Sequence, residues 1–183
     1  MDADGEVLAV QGDRSIPGFR KTYADIAAYR DLKKRVEAGE EGLGVQLMVA
    51  EWNLGKLTWA DAKKQADAMP KLSPKEQKMV AQIVLDAEVL ERSRDMRDKE
   101  KGKAVYARFK ELVAEGYIPG EKAERSFWGS LLMGADQAND LEIYRKCVDK
   151  QVEMWGDEPR AEKYLQGLKD RLAEMEESAK GKA

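Results

Sequence analysis

Apolar residues return every three or four positions through most of this chain, and each run stops at a short joint built from glycine, proline or a capping residue. That period places the apolar residues in a stripe along one side of a helix, and the stripe has to be covered. The last run shows it without a gap, as Ala161, Leu165, Leu168, Leu172 and Met175. Several such runs joined by short turns are expected to fold as antiparallel helical hairpins, each hairpin covering its stripes on its own partner and on its neighbours. The composition agrees: 37% of residues are charged, above the roughly one quarter usual in globular chains, because a helix that buries one stripe leaves the rest of its circumference wet.

Eight helices are expected in order. The first runs from about Phe19 to Ala38, with Phe19, Tyr23, Ile26 and either Tyr29 or Arg30 on one face, and Gly39 ends it. A short helix over Gly42–Asn53 and the turn Leu54-Gly55-Lys56 follow. Thr58-Trp59-Ala60-Asp61 caps a helix that ends near Met69-Pro70. Ser73-Pro74-Lys75-Glu76 has the form of a capping box with proline in the first turn, opening a helix with Met79, Ile83, Val84, Ala87 and Leu90 in its stripe. Further helices are expected over Glu100–Glu115, Glu121–Met133 and Ala138–Met154, and the eighth is the run from Ala161 to Met175. Residues 178–183 read as a disordered tail. Three joints look alike: Asn53 to Leu57, Glu115 to Ile118, and Trp155-Gly156-Asp157. Each precedes a helix with an early alanine (Ala60 and Ala62, Ala123, Ala161), small enough for two helices to approach closely.

This series resembles tetratricopeptide repeats, which place small residues at the helix contact, a glycine before the second helix and a proline after it. Gly55, Ala62 and Pro74 stand at those places. The resemblance implies a TPR-like α-solenoid over residues 39–177, clearest in 41–175. A second resemblance covers residues 1–38. Asp4-Gly5-Glu6-Val7-Leu8-Ala9-Val10, then Gly12, then Phe19 in a helix, is similar to the last hairpin strand and terminal helix of a thioredoxin-like domain. It implies a short N-terminal strand remnant, and a parent protein whose Cys-x-x-Cys and cis-proline lie outside this chain.

Catalytic chemistry is poorly provided for. The chain has no histidine and one cysteine, which removes Ser-His-Asp and Cys-His nucleophiles, the usual zinc sites and an intrachain disulfide. Cys147 lies mid-helix beside the apolar stripe and reads as a small inert hydrophobe. Asp136, Asp140 and Glu142 are close in sequence but lack the spacing and glycine of a calcium loop, so no metal is assigned. Gly39, Gly42 and Gly44 follow a helix rather than a strand, the wrong setting for a phosphate loop. No cofactor is expected.

Basic and acidic residues number 32 and 35, net −3, and they alternate, which leaves no basic face for nucleic acid. No apolar run reaches the twenty or so residues of a membrane span, and Met1-Asp-Ala-Asp-Gly5 does not look like a signal peptide. The compartment is not readable. The expectation is a non-catalytic protein-binding or scaffolding module that takes a protein or peptide partner, with Trp59, Trp128 and Tyr117 as candidate contact residues. The alternative is the helical C-terminal appendage of a thioredoxin-like thiol–disulfide oxidoreductase. A homo-oligomer is also compatible, through the exposed strand or the stripe Ala161–Met175.

Overall fold

The computed structural model describes residues 9, 15–69 and 71–181, and among them the chain is mainly helical, with no strand. Its eight α-helices are α1 (Ile16–Glu37), α2 (Gly44–Asn53), α3 (Trp59–Asp67), α4 (Pro74–Arg92), α5 (Lys101–Ala114), α6 (Glu121–Ala138), α7 (Leu141–Trp155) and α8 (Glu162–Lys180), with 3-10 turns at Ser93–Arg97 and Pro159–Ala161. The strand expected over Glu6–Val10 lies outside the described residues, apart from Ala9, which belongs to no regular element. The chain divides into two compact units, residues 1–88 and 89–183. Within the first unit α1 packs on α2.

In the first unit, the Ser15 hydroxyl accepts a hydrogen bond from the Gly18 amide at 3.1 Å and so opens α1. Of the expected α1 stripe, only the C-terminal end is covered. Tyr29 is buried, with the Lys56 ammonium 4.8 Å above its ring, whereas Phe19 and Tyr23 are 46% and 73% exposed. The reason is length. At about 1.5 Å per residue, the 10-residue α2, turning back from the joint, reaches only half of the 22-residue α1. The core of this unit is Val45 and Met48 of α2, Ala62 of α3, and Val80, Ile83 and Ala87 of α4, edged by Trp52 and Trp59. Ala62 is fully enclosed, which explains why a small residue stands there. The α4 stripe begins at Val80 rather than Met79, which is exposed. The expected capping box is formed: the Ser73 amide and hydroxyl both donate to Glu76 Oε2, at 2.8 and 2.6 Å, and the Glu76 amide donates back to Ser73 Oγ at 3.4 Å.

The second unit is a run of antiparallel packings. Tyr106 and Phe109 of α5 meet Gly134 and Phe127 of α6. Arg125 near the start of α6 meets Trp155 at the end of α7. Arg145 and Gln151 of α7 meet Glu176 and Tyr164 of α8. In each pair the start of one helix lies beside the end of the next, so the helical hairpins expected from the short joints are present in this unit. The core holds Phe109, Leu112, Phe127, Leu131 and Cys147, all fully buried.

Two boundaries differ from the sequence reading. Helix α6 continues past Met133 to Ala138, and α7 starts at Leu141. Gly134 does not break α6, because its missing Cβ is what lets the Tyr106 ring close on the helix: a Cβ there would stand 2.4 Å from Tyr106 Cδ2. The stop comes from Asn139, at φ 50° and ψ 37°. Its left-handed conformation turns the Asp140 amide back to the Ala135 carbonyl at 2.9 Å. The joint at Gly156 is also unlike the other two. Gly55 and Gly116 have φ of 69° and 77°, whereas Gly156 has φ −58° and the 3-10 turn at Pro159 makes the reversal. At the far end α8 continues to Lys180, so residues 178–180 of the expected tail are helical.

Candidate functional site

Among the described residues no group of three or more acidic, cysteine or histidine side chains could hold a metal ion. The three acids that stood together in sequence are each used locally. Asp136 accepts from Arg171 Nε at 2.8 Å and Glu142 from Lys146 Nζ at 2.8 Å. Asp140 caps α7 by accepting from the Ile143 amide at 3.3 Å, and also accepts from Tyr106 Oη at 2.8 Å and Lys110 Nζ at 2.5 Å. Partial burial works against its charged form, but the hydrogen bonds from Lys110, Tyr106 and Ile143 outweigh it and hold the carboxyl below the usual aspartate range. Cys147 is fully enclosed, and burial, aided by the charge of Asp140, pushes its thiol up to about 12. A thiol so placed is a packing residue.

Of the three aromatic candidates, Trp59 belongs to the first unit and Tyr117 and Trp128 to the second. Trp59 is half-buried at the edge of the first unit's core. Tyr117 and Trp128 flank Phe127 in the second unit, both near edge-on, with ring centres 5.2 and 5.1 Å away. Both are half-buried, so their rings are partly spent on that contact.

A different set of residues forms a concavity. Arg125 and Gly129 of α6, Gln151 and Trp155 of α7, and Ala161 and Tyr164 at the start of α8 line a cavity of about 320 Å³, at the small end of the range that holds ligands. Helices α6 and α7 each contribute two residues one turn apart, and Ala161 of the 3-10 turn and Tyr164 of α8 complete the lining. Gly129 has no atom within 4 Å of where a Cβ would stand, which leaves open space against the helix. The Arg125 guanidinium lies 4.3 Å over the Trp155 ring, a cation–π contact that fixes a long side chain in place. Tyr164 donates its hydroxyl to Gln151 Oε1 at 3.3 Å. Gln151 is only 3% exposed, a polar group held at the groove wall beside aromatic and small side chains.

Little in the sequence announces this groove. Arg125 and Gln151 lie beside apolar stripes, where polar residues are ordinarily taken for solvated surface. The available signal was spacing: Arg125 with Gly129 and Gln151 with Trp155 are four apart and share a helix face. That signal acquires meaning only once the faces are known to converge. Comparison with protein-family models, curated proteins and solved structures finds no match to this chain. The groove presents aromatic faces, a guanidinium and a carboxamide.

Proposed function

We propose that this chain is a non-catalytic, TPR-like protein-binding module of helical hairpins, and that the groove between α6, α7 and the start of α8 receives a segment of its partner. The observation that carries the reading is the open wall at Gly129, flanked by Trp155 and Tyr164. Small residues that leave backbone accessible beside aromatic side chains suit the seating of another chain, since aromatic and arginine side chains supply much of the binding energy in protein interfaces. Tyr164 is 47% exposed, so its ring has area left to bury.

A random-peptide phage library selected on the whole protein tests this reading. Enriched peptides are expected to compete with one another and to lose binding to Gly129→Trp, whose indole would occupy the groove. Because nothing crowds Gly129, that variant should fold, and circular dichroism checks it. Enriched peptides that bind the variant as well as the parent protein would remove the groove from the proposal. Failure to enrich any peptide would count against the module itself.

A further inference from the structure

We propose that the groove is selective for an acidic segment of the partner, one that presents an aspartate or glutamate carboxylate to Arg125 beside an aliphatic residue seated over Gly129 and Ala161. This rests on the reading of the groove as the docking site and adds the chemistry of what docks.

Arg35 meets Glu40, Arg108 meets Glu111 and Glu115, Arg145 meets Glu176, and Arg171 meets Asp136 and Glu174. Like Arg20, Arg30, Arg94, Arg97 and Arg160, Arg125 has no ion pair among the described residues, and unlike them it lines the groove. Its contact is the face of Trp155. Stacking engages the flat face of a guanidinium and leaves its in-plane N–H fork free. That fork matches a carboxylate in the bidentate geometry that gives the stronger charge-assisted hydrogen bonds.

The rest of the lining agrees in sign. One cation and no anion line the cavity. The Gln151 oxygen accepts from Tyr164, and the amide end of its carboxamide supplies N–H donors that suit a carboxylate. The remaining wall, Gly129 and Ala161 with the aromatic rings, is apolar and would leave a second charge on the occupant unpaired. A single fixed cation is too little for an anionic membrane or a nucleic-acid backbone, both of which are held by clusters of basic residues.

The test is a titration of the isotope-labelled whole protein, followed by two-dimensional NMR, with two capped peptides: leucyl-glutamyl-leucine and leucyl-glutaminyl-leucine. The Glu peptide is expected to shift the Arg125 Nε–H, Trp155 indole N–H and Gly129 amide signals and to bind about tenfold more tightly than its Gln counterpart. Arg125→Gln, a change on an exposed helix face, should abolish that difference. Salt raised toward about 1 M should shrink it. Equal binding of the two peptides at these signals would overturn the carboxylate proposal and leave the groove as a docking site. If neither peptide moves them, the proposal also falls, and the phage selection then decides separately whether the groove docks anything.

Discussion

Gly134 and Asp140 show how much of the second unit depends on single atoms. At Gly134 the aromatic ring of Tyr106 occupies the place of a Cβ, and the nearest atoms include the Tyr106 Cβ itself, so the side chain cannot simply swing aside. Gly134→Ala should therefore destabilise the protein by about 1–3 kcal/mol, although alanine is the better helix former. An unchanged urea midpoint would show that the contact relaxes without cost. Asp140 separates into two roles. Asparagine can still cap α7 but loses the charge that draws Lys110 and Tyr106. Asp140→Asn should cost about 1 kcal/mol near neutral pH, and Asp140→Ala about 1 kcal/mol more through loss of the cap. Because the folded carboxyl sits below its unfolded value, the charged form contributes stability above about pH 4 and loses it as pH falls through the lower, folded value. The gap in urea midpoint between parent and Asp140→Asn should accordingly be open at pH 7 and close in acid. A gap that persists at low pH would mean that the charge is not its source.

For the helices as elements, the two helix ends that differ most in legibility are the start of α4 and the end of α6. Ser73 and Glu76 announce themselves by type and spacing, because a capping box is a local device whose partners are three residues apart. The end of α6 depends on Asn139 in a left-handed conformation and on whether Gly134 has a ring to receive, and the ring comes from α5. Local pattern cannot report that. The same limit applies to α1, whose apolar residues recur at helical spacing although only Tyr29 is buried, since the length of α2 decides how much of that face is covered. The groove lies at the extreme of this series: its six residues come from three helices and a 3-10 turn, and none is unusual where it stands. Two substitutions test the element-level account. Asn139→Val should cost about 1–2 kcal/mol, while Asn139→Gly should be near neutral. Gly129→Ala, on an open helix face, should stabilise by about 0.5–1 kcal/mol; a loss of stability there would show that the groove wall is occupied by something that a methyl group displaces.

Taken whole, the molecule carries two cores and one buried thiol that reports on only one of them. Cys147 belongs to the second unit and is fully enclosed, so its reaction with a disulfide reagent should require that unit to open. Gly134→Ala should raise the labelling rate about tenfold under native conditions. Hydrogen exchange at the Met48 and Ala62 amides in the first unit should stay unchanged if the units open separately. Parallel acceleration at both places would show that they open as one.

The enclosure of Cys147 has a further consequence for how the protein meets acid and base. Histidine and cysteine are the side chains whose ordinary titration falls closest to neutrality. This chain has none of the first, and its single example of the second is displaced to about 12. Its side-chain charge pattern is thus poorly equipped to register the modest acidification that separates one cellular compartment from another. If the groove docks a partner as proposed, release on mild acidification is expected to originate in the partner's titrating groups.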